Sequence, residues 1–321
     1  MSLTAAIPAA TVQSHASNIP QLPDQTLLCA CIWLSRQEPD STTYCQNPVL
    51  FRAPKTGDIW LFHTSQDAGN QDGAFIMALI SRDNGFTWSE PRFPFGGITG
   101  AFVRQPLVVL GDGTWVLPVF YCRTTPGQRW IGNNDISAVY FSLNDGQTWE
   151  GIVVPESLGC EGCQYIAFFR SCWADSIYRS VSSNGLNRAP PKPNILPNPN
   201  SGICAARLPS GNLIVVFNRS AAEAEMAKRE GLYDDITPEN DTRPNQASVN
   251  GKGSIWGTPR KTLTIAISSD DGLTWKERLS YPSIFVEKEG PLSVVHIAFT
   301  FHRQYIKYVR TEEVEGCVND V

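Results

Sequence analysis

The sequence predicts an all-β fold of the β-propeller kind, on three observations. Three octets are near copies: Ser81–Trp88 (SRDNGFTW), Ser142–Trp149 (SLNDGQTW) and Ser268–Trp275 (SSDDGLTW). Short strand-like runs bounded by Gly, Pro, Asn and Asp recur along the chain, while helical periodicity is nearly absent. The Trp residues of the copies lie 61 and then 126 residues apart, the second interval about twice the first. Units of that size are too long for a short solenoid repeat and suit four-stranded propeller blades. Six blades of about 50 residues each would use the whole chain, residues 1–321, as one domain.

The shared pattern S-x-D-x-G-x-T-W reads as a hairpin turn. A carboxylate at Asp83 or Asp270, or the Asn144 amide in the second copy, can accept bonds from the turn's own N–H groups. Gly supplies a positive φ, Thr re-enters a strand, and Trp offers a large apolar face for packing between blades. Asp83, Asn144 and Asp270 are therefore expected to be structural.

In chain order, the strand-like runs are 27–33, 48–52, 58–63, 74–81, 107–110, 114–121, 136–141, 165–170, 203–208, 212–217, 262–268 and 294–301. Each is rich in Val, Ile, Leu, Phe or Trp and ends at turn-forming residues. Ser220–Gly231 has high helix propensity and a Gly stop, which predicts one short helix. It opens a polar insertion over about 220–259, read either as a wall of a binding mouth or as a mobile surface loop. Between Asp40 and Gln46 the chain is too short to complete a first blade with its own octet, and Gly159–Tyr165 is also compressed. Ser182–Leu186 (SSNGL) looks like a degenerate fourth copy. The blade count is thus six, or five in a shortened propeller.

Composition narrows the function classes. A hydrophobic content of 42% and nine Trp supply a sizeable core and exclude disorder. The net charge of −5 argues against nucleic acid as a partner. No apolar run approaches the roughly 20 residues needed to span a bilayer. The N-terminus has no Lys or Arg before Arg36, and Pro8 interrupts its apolar stretch. No secretory signal is therefore evident, and a cytoplasmic location is expected. The nine Cys are an odd, scattered set that suggests buried thiols. Cys160 and Cys163 form a lone C-x-x-C with no second ligand pair, and the four His lack ligand spacing, so no metal is expected. No phosphate loop or cofactor fingerprint is present.

The octets resemble the Asp boxes of the sialidase (neuraminidase) superfamily, in its BNR-repeat-like branch. Further segments resemble that branch: Leu22–Leu28, Gln46–Phe51, Phe169–Ser171, Ala174–Ser180 and Ser280–Ile284. The resemblance implies a sialidase-like propeller hydrolysing a terminal acidic sugar, of the exo-alpha-sialidase type, with an acidic glycan or glycoconjugate as substrate. It implies Tyr281 as nucleophile, since the family uses Tyr where most glycosidases use a carboxylate. It implies Asp40 as acid/base, and Arg219 and Arg260 as two of the three arginines that grip the substrate carboxylate. The chain departs from the family at two positions. His15 stands where the first arginine is usual, and Gly202 stands where a Glu serves the Tyr as base.

A second set of residues stands apart from those roles. Arg104, Asp135, Arg170, Asp175 and Arg179 sit at strand ends. Converging on a central channel, Arg104, Asp135, Arg170 and Asp175 would bind substrate. The structural alternative is blade-to-blade ion pairing, with Asp175 as the natural partner for Arg170. Two other functions stay open beside hydrolysis: a lyase or other hydrolase on an acidic glycan, with His15 or Tyr281 abstracting the proton, and a non-catalytic propeller that binds glycan or protein.

Overall fold

The computed structural model describes residues 3–8, 14–18, 28–33, 43–67, 71–157, 160–161, 166–223, 244–249, 251–260, 263–279, 284–289, 292–301, 305–314 and 317–318. The strands begin with β1 (Leu3–Pro8), β2 (Ser14–Asn18), β3 (Ala30–Trp33), β4 (Thr43–Arg52), β5 (Ile59–Asp67) and β6 (Phe75–Ser81). Next come β7 (Ala101–Val103), β8 (Val108–Val109), β9 (Trp115–Tyr121), β10 (Ile136–Ser142) and β11 (Glu150–Val153). They are followed by β12 (Cys160–Glu161), β13 (Ile166–Ser171), β14 (Ser176–Val181) and β15 (Lys192–Pro197). The last are β16 (Cys204–Arg207), β17 (Leu213–Asn218), β18 (Leu263–Ser268), β19 (Lys276–Leu279), β20 (Ile284–Glu289), β21 (Leu292–Phe301), β22 (Tyr305–Val314) and β23 (Cys317–Val318). Among the described residues the only helix is a single 3-10 turn, Gln71–Gly73. Most of the expected helix of 220–231 lies outside the described residues.

The fold is all-β and propeller-like. Its strands form antiparallel meanders: β2–β3, β4–β5–β6, β7–β9–β10–β11 with β8 also on β9, β12–β13–β14–β15, and β16–β17–β18–β19. In the remaining sheet β20, β21 and β22 are completed by β1, so the first and last parts of the chain share hydrogen bonds. The β2–β3 pair leads into β4 of the next sheet, in keeping with an abbreviated first unit.

Successive sheets pack face to face. One core layer joins β4–β6 to the next sheet through Val49, Trp60, Phe62, Val103, Trp115 and Leu117. A second joins that sheet to β13–β14 through Val116, Val139, Ala167 and Phe169. A third joins Phe168, Ile177 and Leu196 to Val215, Phe217 and Ala266. A ring such as Phe62, Phe169 or Phe217, fully buried, contributes roughly 1.5–3 kcal/mol. β9 and β17 are buried at every position because their sheets are covered on both faces.

The three octets adopt one geometry. Asp83 Oδ1 accepts from the Ser81 hydroxyl at 2.8 Å and the Thr87 N–H at 2.8 Å, while Oδ2 accepts from the Thr87 hydroxyl at 2.5 Å. Asp270 repeats this with Ser268 and Thr274. At the second copy the Asn144 amide donates to Thr148 Oγ1 at 2.8 Å, so the Thr hydroxyl accepts instead of donating and the turn survives. Residues 84–85, 145–146 and 271–272 all have positive φ. Two of the turns connect the third and fourth strands of their sheets, β10–β11 and β18–β19. The degenerate copy occupies the same place between β14 and β15, with Asn184 Oδ1 accepting from the N–H groups of Leu186 and Asn187. After the first octet no named fourth strand forms, but Ala78 and Arg92 exchange a pair of backbone bonds there.

The second and third turns rest on the preceding sheet. Trp149 meets Phe62 with ring centroids 6.0 Å apart, and Trp275 meets Phe168 at 5.4 Å. Lys55 pairs with Asp145 across the same boundary at 2.9 Å, an exposed contact of little energetic weight.

Candidate functional site

A break in the strand at one edge of a sheet starts the site. β7 pairs with Tyr121–Val119 of β9, and β8 pairs with Val116 and Trp115, so the ladder to β9 is interrupted at residues 104–107. Pro118 lies at the gap. It has no N–H to give a ladder, and a proline within a sheet belongs at such a discontinuity. The segment leaving the sheet carries Arg104 and Gln105.

Arg104, Gln105, Pro118, Val119, Phe120, Arg170, Gly202 and Ile203 line one crevice. Arg104 comes from the end of β7, Arg170 from β13, and Gly202 from just before β16, so three successive sheets contribute. Gln105 Nε2 donates to the Ile203 carbonyl at 3.1 Å and ties the first segment to the last. The Arg104 guanidinium packs on Gly202 so closely that an added Cβ would overlap its Nη2 and Cζ and stand 2.9 Å from Nε. The crevice volume is about 10 Å3, the room one water needs. Two arginines, Arg104 and Arg170, thus stand beside apolar Phe120 and Val119 in one crevice.

Residues 244–249 and 251–258 of the polar insertion brace this region. Asn133 Nδ2 donates to the Gln246 and Ala247 carbonyls, and Asn133 Oδ1 accepts from the Ser254 N–H at 2.7 Å. Trp256 Nε1 donates to the Ile131 carbonyl, and its ring stands 5.7 Å from that of Trp130. Ile255 joins two crevice-bearing segments, its N–H donating to the Cys172 carbonyl and its carbonyl accepting from Asn200 Nδ2. The sequence signal for this brace was Trp256, a large aromatic in an otherwise polar stretch.

The other candidate residues fall in different places. Asp135 is 0% exposed and accepts from Trp130 Nε1 at 2.8 Å and the Arg123 N–H at 3.2 Å. Asp175 accepts from the Ser176 N–H at 2.7 Å and the Tyr178 hydroxyl at 2.9 Å. Those partners, and not Arg170, take up its two oxygens. Arg179 reaches the next sheet, donating to the Asp271 carbonyl. Arg219 and Arg260 are exposed. Their segments meet where the Ser220 hydroxyl donates to the Pro259 carbonyl at 2.8 Å. Neither residue belongs to the described crevice lining. Tyr281 and Asp40 lie outside the described residues, as does Cys163. His15 pairs in register with Ile32.

The large carboxyl shifts belong to the turns and not to the crevice. Bonds from Thr87, then Ser81, hold the Asp83 carboxyl down at about 2. The equivalent bonds from Thr274 and Ser268 lower Asp270. Burial, reinforced by a 2.7 Å contact with the Tyr140 hydroxyl, pushes the Tyr121 phenol far up. His63 is lowered by burial. Among the described residues no group of three His, Cys, Asp or Glu stands together as a metal site, and no helix is long and apolar enough to cross a membrane.

Sheets stacked face to face with Asp-box turns between their strands define an all-β, propeller-like class of fold. The chain belongs to the BNR repeat-like domain family, which it matches over residues 32–297. No curated protein matches it in sequence. A protein of unknown function from Dyadobacter fermentans DSM 18053 is similar in structure, with TM-score 0.64, 14% identity, and 97% of this chain and 98% of that one covered. The Hadza microbial sialidase Hz136 gives TM-score 0.59 at 14% identity; 96% of this chain is covered, but it spans only 62% of that protein. An intramolecular trans-sialidase from Ruminococcus gnavus, in complex with oseltamivir carboxylate, gives TM-score 0.59 at 9% identity, with 96% of each chain covered.

Proposed function

We propose that this chain is a sialidase-like glycoside hydrolase, exo-acting on a terminal acidic sugar. The observation that carries the reading is Arg104 and Arg170 lining one crevice. Paired guanidinium forks match a carboxylate, and the similar Ruminococcus gnavus enzyme is complexed with a carboxylate, oseltamivir carboxylate. In this proposal the Tyr281 oxygen attacks the anomeric carbon, Asp40 protonates the leaving oxygen, and water then releases the sugar from Tyr281. Arg219 and Arg260 are the further arginines that, in this proposal, hold the substrate carboxylate. The phenolic proton needs an acceptor, because an unperturbed Tyr titrates at about 10. With Gly202 at the family's Glu position, that role falls to another carboxylate, for which Glu38 is the candidate close to Asp40 in sequence.

Turnover of a 4-methylumbelliferyl sialoside tests the proposal. Tyr281→Phe is expected to lower kcat at least about a hundredfold, with an unchanged melting temperature. Arg170→Ala is expected to raise KM by about tenfold or more. Hydrolysis that survives Tyr281→Phe discards the mechanism, and folded wild-type protein without hydrolysis discards the enzyme. The packing of Arg104 on Gly202 favours one second reading, a non-catalytic propeller that binds an acidic glycan, because a guanidinium stands where the family places its Glu. Binding of the same sialoside without turnover is its signature.

A further inference from the structure

Gly202 has no positive φ, unlike the turn glycines. Its lack of a side chain therefore serves space and not backbone conformation. The space is taken by Arg104: a Cβ at 202 would overlap Nη2 and Cζ of the guanidinium. Both residues line the crevice with Arg170, and the Gln105 bond to the Ile203 carbonyl holds the two segments together. Any side chain at 202 must push the guanidinium away from its present place or separate segments that this bond joins. An arginine on a flexible stem moves more easily than two tied backbones.

We infer that Gly202 is a positioning residue for anion binding: its bare Cα lets the Arg104 guanidinium lie in the crevice beside Arg170, where both can grip one carboxylate. The inference rests on the reading of the crevice as an acidic-sugar site. Gln105 is the second part of the device, since it fixes the distance between the strand end that supplies the arginine and the loop that receives it. A site of this construction selects a planar anion that two forks can share.

The test is a double-mutant cycle on binding of N-acetylneuraminate, followed by titration calorimetry. Gly202→Ala is expected to weaken binding about ten- to a hundredfold, as loss of one charge-assisted group does. Arg104→Ala is expected to cost as much, and Gly202→Ala added to Arg104→Ala to cost nothing more. A merely structural glycine would instead lower the melting temperature and add its loss to that of Arg104→Ala; that additive result overturns the inference. So does wild-type affinity in Gly202→Ala. If wild-type protein binds no N-acetylneuraminate, the acidic-sugar reading fails, and the placement of Arg104 is decided by the nuclear magnetic resonance signal of its Nε–H. A shifted signal in Gly202→Ala supports the positioning role, and an unshifted one removes it.

Discussion

Replacing Gly146 by Ala tests whether the Asp-box turns are seated on the neighbouring sheet or are self-contained. Gly146 and Gly85 hold the same position in their octets, with φ of 80° and 93°. An alanine in this left-handed region costs roughly 1–2 kcal/mol at either site. The surroundings differ. A Cβ at 146 would stand 2.8 Å from Trp60 Cη2 and 2.9 Å from Trp115 Cζ3. Both rings are buried, with 5% and 1% exposure. Carbon contacts prefer about 3.5–4.0 Å, so the rings must retreat by roughly 0.7 Å or more within a packed layer. Overpacking of this kind costs about 1–3 kcal/mol. The expected loss is therefore about 2–5 kcal/mol for Gly146→Ala. For Gly85→Ala it is about 1–2 kcal/mol, because the nearest neighbour there is Leu28 at 3.4 Å. Equilibrium urea unfolding reads the difference in midpoints. Equal losses at the two glycines would refute the seating of the second turn on the Trp60 and Trp115 rings.

Two further outcomes are expected. Because the Asp83 carboxyl is held at about 2, below its ordinary value near 3.9, its stabilisation is complete above that ordinary value and is lost as pH falls toward 2. Asp83→Asn should therefore show its largest deficit in melting temperature near neutral pH, fading between about pH 5 and 2; a deficit independent of pH would contradict this. Asp135→Ala leaves Trp130 Nε1 and the Arg123 N–H without their shared acceptor, which is expected to cost about 2–4 kcal/mol in thermal unfolding while sialoside binding per folded molecule persists. Lost binding with an unchanged melting temperature would move Asp135 to a substrate role.

Much of the fold was legible in the sequence because Asp-box turns and buried strands are local codes. Ser, Asp, Gly and Thr within eight residues satisfy one another by bonds that span no more than four positions, so Ser81–Thr87 and Ser268–Thr274 declare the same turn wherever they sit. Runs such as Leu213–Phe217 and Trp115–Tyr121 are apolar at nearly every position and mark strands covered on both faces. β14 and β15 were not read as strands: pairing with β13 decides β14, and pairing with β14 decides β15, whose two prolines carry weak strand preference. The family resemblance, carried by short motifs, was equally visible.

The site itself was decided by tertiary structure. Arg104, Arg170 and Gly202 are far apart in sequence and meet only because three successive sheets, contributing the end of β7, β13 and the residues before β16, pack against one another. Nothing local distinguishes Arg170, which lines the crevice, from Arg179, which bonds across to the Asp271 carbonyl. Asp135 and Asp175 also look like free carboxylates in sequence, but both are taken up by near neighbours along the chain, Trp130 and Arg123 for one and Ser176 and Tyr178 for the other. Gly202 reads in the sequence only as a missing family residue; its contact with Arg104 appears once three sheets are assembled. A turn is specified by bonds between near neighbours along the chain, whereas a crevice between sheets is specified by the packing that brings distant strand ends together.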